Sequence, residues 1–187
     1  MPHVKVYTRK GDDGTTGLLY GGRVLKDSVG PAAYGAVDEA VSALGLARAE
    51  CERGSELFDL LVRLQRELFV VGAELATEPA NRSKLTPGVS LVTDEMVSAL
   101  EPVIDDVTGR FDPPREFVLP GENRVAAALD LARTVVRRAE RESVGAAAAG
   151  WLEGSHVVPY LNRLADLVYT LARWQEGEHR PSRADGA

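Results

Sequence analysis

The chain has 187 residues, of which 44% are hydrophobic and 27% charged, and its formal net charge is −6. A chain of this length can bury the core of one compact domain. Its acidic balance argues against a nucleic-acid or membrane-surface protein. Cys51 is the sole cysteine, so no disulfide forms within the chain, and we find neither a signal-like segment nor a membrane-length apolar run. We therefore expect a single soluble, cytoplasmic domain over residues 1–187.

The N-terminal segment, residues 1–30, differs in composition from the rest of the chain. Val4, Val6 and Thr8 alternate with polar residues, a weak strand pattern, and the glycine-rich stretch KGDDGTTGLLYGGR follows. Glycine amides can turn toward an anion, threonine hydroxyls add donors, and basic side chains supply charge. The interleaved cations are Arg9, Lys10, Arg23 and Lys26. The segment matches neither a Walker loop nor a dinucleotide fingerprint. A flexible surface turn and a phosphate site both stay open.

Apolar residues recur at helical spacing in five later segments, and the clearest carries Leu57, Leu61, Leu64 and Leu68 on one stripe. The five predicted helices span roughly 32–52, 55–78, 93–108, 122–148 and 156–176. Short links marked by Pro and Gly join them, which is typical of an up-and-down bundle. We expect residues 177–187 to form a disordered tail.

The fourth predicted helix carries a polar stripe beside its alanine-rich apolar face. Arg133, Arg137 and Glu140 fall within about 60° of one another, with Arg141 at the edge of the stripe and Arg138 pointing further away. Arginines that border a core face usually meet an anionic ligand, a partner carboxylate or a neighbouring subunit. A solvated charged face is the alternative.

The fifth predicted helix presents Asn162, Asp166, Tyr169 and Arg173 on one face. Asn162 is a candidate ligand for a ribose or phosphate, and Asp166 is a candidate partner for an arginine of the fourth helix. A hydrogen-bonded surface stripe is the alternative. Phe117, just before a Pro-Gly turn, suits a hydrophobic plug at the end of the bundle.

The sequence carries no residue pattern typical of a protein-bound metal or an activated nucleophile. His3, His156 and His179 lack metal-ligand spacing, and there is no Ser-His-Asp signature. Any metal chemistry must therefore come with a bound cofactor or with the Mg²⁺ of a nucleotide.

Three sequence blocks occur together in one known family: YTRKGDDGTTGLLYGGRVLKD, FVLPGENRVAAALDLARTVVRRAER and YLNRLADLVYTLAR. With the shorter stretches AYGAVDEA and LFVVGAELAT, they resemble the PduO-type ATP:cob(I)alamin adenosyltransferases over about residues 5–175. The resemblance implies an all-α fold, a five-helix up-and-down bundle of ferritin-like or cobalamin adenosyltransferase-like type. It also implies an extended, ATP-binding N-terminal segment at residues 1–30, and a homotrimer with ATP at each subunit interface.

The resemblance implies roles for individual residues. Lys26 and Arg137 would stabilise the leaving triphosphate, and Phe117 would lie against the lower face of the corrin. Arg133 would pair with Asp38 of a neighbouring subunit. The implied ATP ligands are Thr8, Arg9, Lys10, Gly11, Thr16, Gly17 and Lys26 of the N-terminal segment, with Arg137, Arg138, Glu140, Arg141 and Asn162 of the helices.

The implied reaction moves the 5′-deoxyadenosyl group of ATP to the cobalt of cob(I)alamin, giving adenosylcobalamin and triphosphate. Because cob(I)alamin is itself a strong nucleophile, the protein needs no Ser, Cys or His triad. Mg²⁺ would be bound mainly through ATP, and Phe117 would exclude water and the dimethylbenzimidazole base from the cobalt. A cobalamin reductase and an adenosylcobalamin-dependent mutase are the implied partners, with no nucleic acid and no membrane.

Several positions depart from the family pattern and bear on corrinoid affinity. They are Gly30, Ala40, Val41, Glu122, Asp130 and Ala165. Two alternatives to an enzyme are a non-catalytic carrier, which binds nucleotide or adenosylcobalamin and delivers the cofactor to a mutase, and a structural helical oligomer. The phosphate cradle together with the arginine stripe favours the enzyme, since a carrier would not need both.

Overall fold

The computed structural model describes residues 6–183. His3, Val4 and residues 184–187 of the predicted tail lie outside this range. The described residues form six α-helices: Val29–Ala49 (α1), Glu56–Leu75 (α2), Asp94–Ser98 (α3), Glu101–Thr108 (α4), Arg124–Ala148 (α5) and Val157–Glu176 (α6). A 3₁₀ helix, Pro79–Lys84, follows α2. The four short strands are Thr15–Gly17 (β1), Arg23–Leu25 (β2), Val118–Leu119 (β3) and Arg180–Pro181 (β4).

The helices form a bundle, which confirms the predicted fold class. Helix α1 packs against both α2 and α5, α5 packs against α6, and α4 covers α6. The stripe predicted on the second helix is the core face of α2, where Leu61, Leu64 and Leu68 have no exposed surface. Burying each such side chain is worth about 1.5–3 kcal/mol.

Small buried residues let the helices approach closely. Two departures from the family pattern, Ala40 on α1 and Ala165 on α6, are buried in the core. A third, Gly30, lies against the Trp151 indole, and a Cβ added there would come within 2.6 Å of the ring. The Trp151 Nε1–H donates to the Leu75 carbonyl at 2.8 Å, so the indole is held in place. These positions therefore require small residues for packing.

The third predicted helix is divided into α3 and α4 by a turn at Ala99 and Leu100. Pro102 occupies the first turn of α4. Proline has no N–H to donate to the carbonyl four residues earlier, and its ring clashes with that carbonyl, which belongs to Ser98. The helix predicted over 93–108 is therefore interrupted, and residues 6–183 form six α-helices where five were predicted.

The N-terminal segment folds as an antiparallel hairpin of β1 and β2, in which Thr15 faces Leu25 and Gly17 faces Arg23. The strand predicted over residues 4–8 is wrong at Val6 and Thr8, which lie outside any strand. The tip of the hairpin docks on the end of α2, where the Leu19 N–H donates to the Ala76 carbonyl at 2.8 Å.

A buried carboxylate fastens the link that follows α2. Glu74 has no exposed surface. It accepts from the Arg82 guanidinium at 2.8 Å and from the Val92 N–H at 2.7 Å. One side chain thus ties the 3₁₀ helix and the residues before α3 to the end of α2.

The predicted disordered tail is wrong for the part that the structure describes. Gly177, with φ of 72°, ends α6 and turns the chain back. Strand β4 then pairs with β3. The Ser182 N–H donates to the Phe117 carbonyl at 2.7 Å. Two-residue strands leave no periodic signal, so sequence patterning could not find them.

Candidate functional site

The hairpin and the residues before it form a polar basin of about 270 Å³. Its lining is made by Thr8, Lys10, Gly11, Thr15, Thr16, Gly17, Arg23 and Lys26. All of the predicted N-terminal ATP ligands except Arg9 are therefore brought together. Arg9 has φ of 59°, and its guanidinium lies over the Tyr7 ring, 5.6 Å from the centroid. That the basin binds ATP stays a prediction.

Lys26 approaches the turn closely because residue 11 is a glycine. The Lys26 Nζ donates to the Gly11 carbonyl at 2.7 Å. A Cβ added to Gly11 would lie 3.1 Å from that nitrogen and 3.1 Å from the Thr15 carbonyl oxygen. The Lys26 backbone N–H also donates to the Gly14 carbonyl at 2.9 Å. A side chain at position 11 would therefore crowd both the Lys26 ammonium and the Thr15 carbonyl.

Arg23, which the sequence analysis did not include among the ATP ligands, is bonded to both sides of the turn. Its guanidinium donates to the Thr15 hydroxyl, from Nε at 3.1 Å, and to the Lys10 carbonyl. The Thr15 hydroxyl in turn donates to Asp13 at 2.8 Å. Hydrogen bonds from the Thr15 amide, then from its hydroxyl, hold the pKa of Asp13 below its ordinary value. The Asp13 carboxylate therefore stays ionised beside the cations.

A second group of predicted ligands lies where α5 meets α6. The Asn162 side-chain amide on α6 donates to Glu140 on α5 at 3.0 Å. One turn earlier, the Arg141 guanidinium donates to the Arg137 carbonyl at 3.1 Å. Arg138 forms an ion pair with Glu39 of α1. One polar surface on α5 and α6 is thus formed by Asn162, Glu140, Arg141 and Arg137. Arg138 is instead bonded to α1.

Two charged residues of α6 have contacts that differ from those predicted for its polar face. Asp166 bonds Arg163 of its own helix at 3.1 Å rather than an arginine of α5. Arg173 does not share the exposed face of Asn162: it is buried and contacts Asp130 and Glu176. These errors follow from spacing alone, which cannot tell which flank of a helix its neighbour covers.

Arg133 lies beside the buried Asp130, with 3.4 Å between its Nε and a carboxylate oxygen. Asp130 is one of the positions that depart from the family pattern, and here it provides the contact that orients Arg133. Asp38, the implied partner of Arg133 from another subunit, is exposed on α1. That pairing between subunits stays a prediction.

Phe117 is 87% exposed, next to β3. A plug at the end of the bundle would be buried, so that alternative is wrong. A ring this exposed has nearly all of its apolar surface available to a ligand. Contact with a corrin stays a prediction.

An apolar groove of about 440 Å³ lies between α1 and α2. Phe69, which is 65% exposed, forms part of its wall, and Asp38 adds one carboxylate. The remaining lining residues are Leu19, Tyr34, Gly35, Val37, Val41, Leu68, Gly72, Ala73 and Ala76. The volume is within the range of small-molecule sites.

Residues 6–183 contain no cluster of three or more His, Cys, Asp or Glu side chains suited to a metal ion. Cys51 is half-buried, and its thiol donates to the Ala47 carbonyl. Burial raises the pKa of that thiol, which disfavours the nucleophilic thiolate. None of the helices in the described range is both long and apolar enough to span a membrane.

The basin lining includes no residue of α5 or α6. The described residues therefore present two separate polar surfaces, one on the hairpin and one on α5 and α6.

Comparisons with known proteins identify relatives that match most of the length of this chain. The corrinoid adenosyltransferase of Citrobacter freundii is 40% identical over 172 residues, which cover 92% of this chain and 95% of the relative. That of Mycobacterium tuberculosis H37Rv is 41% identical over 171 residues, or 90% and 87% of the two chains.

A solved structure shares the fold. It is a variant of the PduO-type ATP:corrinoid adenosyltransferase from Lactobacillus reuteri, complexed with cobalamin and ATP. The TM-score is 0.82 at 28% identity, and the match covers 96% of this chain and 100% of the other. The model of the cobalamin adenosyltransferase family matches residues 6–175. The chain therefore belongs to the cobalamin adenosyltransferase family.

Proposed function

We propose that this protein transfers the 5′-deoxyadenosyl group of ATP to the cobalt of a reduced corrinoid. Cob(I)alamin attacks C5′ of ATP, a Co–C bond forms, the C5′–O bond breaks, and triphosphate leaves with the electron pair. The observation that carries this proposal is the basin, where Lys10, Arg23 and Lys26 surround glycine and threonine residues. The family membership independently supports the same reaction.

The basin is proposed to bind the triphosphate. Its cations are partly neutralised by backbone carbonyls and by Asp13 in the free chain. A polyphosphate offers Lys26 a stronger acceptor than the Gly11 carbonyl, because hydrogen bonds between ionised groups are the stronger ones. Charge stabilisation at the leaving group then accelerates the transfer, since negative charge develops there. The proposed ligands are Thr8, Lys10, Gly11, Thr16, Gly17 and Lys26 of the basin, together with Arg9, which does not line it.

The second polar surface is proposed to complete the same site from a neighbouring subunit of a homotrimer. Arg137 and Arg141 would supply charge, while Glu140 and Asn162, already bonded to each other, would position the nucleoside. Arg138 would have to exchange Glu39 for the ligand. The proposed ion pair between Arg133 and Asp38 would fix the relative position of the two subunits.

Phe117 is proposed to lie against the lower face of the corrin. An apolar ring cannot ligate cobalt, and it excludes the water or base that would. Loss of the lower ligand makes Co(II) easier to reduce to the nucleophilic Co(I).

Mg²⁺ is proposed to bind mainly through the triphosphate, where it would neutralise charge. Glu140, which lies three residues after Arg137 on α5, already accepts from Asn162. Supply of Co(I) requires a reductase, and the product suits an adenosylcobalamin-dependent mutase.

The test is to mix the protein with ATP, Mg²⁺ and chemically reduced cobalamin and to follow the corrin spectrum. We expect adenosylcobalamin to form over many turnovers. Stoichiometric binding without conversion would favour the carrier alternative. An unchanged spectrum would contradict both readings.

A further inference from the structure

The basin contains one cation whose contacts differ from those of a direct ligand. Arg23 extends from β2 to both sides of the turn that joins Lys10 to Thr15. Its Nη2 lies 2.5 Å from the Lys10 carbonyl oxygen and 2.5 Å from the Thr15 hydroxyl oxygen, and its Nε lies 3.1 Å from that hydroxyl. By contrast, the Lys26 Nζ makes one contact, with the Gly11 carbonyl.

We infer that Arg23 is a positioning residue, which holds the turn between Lys10 and Thr15 in the shape that binds the triphosphate. This inference rests on the proposed function. In a trans peptide the carbonyl and the next N–H point in opposite directions. Binding of the Lys10 carbonyl by Arg23 therefore keeps the Gly11 N–H pointing away from the guanidinium and free of it.

The hairpin register explains how one side chain reaches both sides of the turn. Arg23 faces Gly17 across the ladder, and Thr15 is two residues from Gly17 on the same face of β1. Diagonal neighbours of this kind are within reach of a long side chain. The Thr15 hydroxyl is itself fixed by Asp13, so the guanidinium binds a rigid acceptor.

A lysine at position 23 could not make all of the hydrogen bonds of the Arg23 guanidinium. The guanidinium is planar and presents donors in a fixed fork, whereas an ammonium is a compact charge on a flexible stem. A lysine at position 23 would keep the charge and lose the paired contact. The two contributions can therefore be separated by experiment.

The test measures tripolyphosphate affinity by calorimetry, together with KM for ATP, KM for the corrinoid and kcat. We expect Arg23→Ala to raise the tripolyphosphate Kd and the ATP KM about tenfold or more. We expect kcat to change less than about threefold and the corrinoid KM to stay unchanged. Arg23→Lys should recover part of the affinity. Arg53→Ala, in the exposed link at the far end of α1, is the matched control and should bind as the wild type does.

Thr15→Val distinguishes positioning from direct contact. It keeps the Arg23 charge and removes the hydroxyl acceptor. We expect weaker tripolyphosphate binding, and a double variant of Arg23→Ala with Thr15→Val no weaker than Arg23→Ala alone, because both changes break one contact. Additive losses, or wild-type affinity in Thr15→Val, would overturn the positioning role. If Arg23→Ala binds normally in a protein that makes adenosylcobalamin, only this inference fails. If the wild type neither binds tripolyphosphate nor makes adenosylcobalamin, the proposed function fails as well.

Discussion

Phe117→Ala tests the proposed corrin contact, because it should slow adenosyl transfer and leave the stability of the fold nearly unchanged. Full burial of a phenylalanine is worth about 1.5–3 kcal/mol. Because Phe117 is 87% exposed in the free chain, most of that free energy is still to be gained on a ligand. Its removal should slow adenosyl transfer about 10- to 150-fold. For the same reason, the free energy of unfolding should change by less than about 0.5 kcal/mol.

The assay follows the corrin spectrum after mixing with ATP, Mg²⁺ and reduced cobalamin, and calorimetry measures ATP binding separately. Val89→Ala is the control, since Val89 is also apolar and 70% exposed but belongs to neither the basin nor the groove. Equal transfer rates for Phe117→Ala and the wild type would refute the reasoning. A large loss of stability would show instead that the ring supports the fold.

Three further changes test other parts of the structure. Arg137→Ala should reduce transfer at least about tenfold with the helical content unchanged, because the exposed guanidinium is proposed to bind phosphate; near-normal turnover would count against the site. Gly30→Ala should destabilise the protein by about 1–3 kcal/mol in urea unfolding, since the new Cβ meets Trp151, and an unchanged midpoint would contradict this. Burial raises the pKa of Glu176 above 4.5, although the Arg173 guanidinium opposes this shift. The folded chain thus holds that proton more tightly, so wild-type stability should fall as pH rises from about 4.5 through the folded pKa. Glu176→Gln should lack this contribution, and parallel pH profiles would exclude it.

Much of the fold could be predicted because local pattern and final packing agree. The stripe through Leu61, Leu64 and Leu68 becomes the core face of α2, since a helix must bury its apolar side. Pro102 also indicated the break before α4. It was missed because the apolar residues on both sides keep one helical spacing. Strand β4 was missed because its partner lies some sixty residues earlier in the chain, and two-residue strands have no pattern of their own.

The candidate site was predicted in part for a similar reason. Glycines and cations close together in one short segment predict an anion-binding concavity, even when its detailed shape is unknown. The contribution of Arg23 depends on the hairpin register, which sets Arg23 opposite Gly17 and diagonal to Thr15. Composition alone shows Arg23 as one of four similar cations. Likewise, the burial of Arg173 depends on which side of α6 faces α5.

The fully buried Glu74 has a consequence for how this protein can be altered. Replacing Arg82 alone would leave the buried Glu74 carboxylate without its cationic partner. Replacing Glu74 alone would leave the Arg82 guanidinium and the Val92 amide without their acceptor. The two positions therefore constrain each other during divergence and should be exchanged as a pair. For an engineer, the stretch from 79 to 92 is a poor place to graft a peptide, although most of its side chains face solvent.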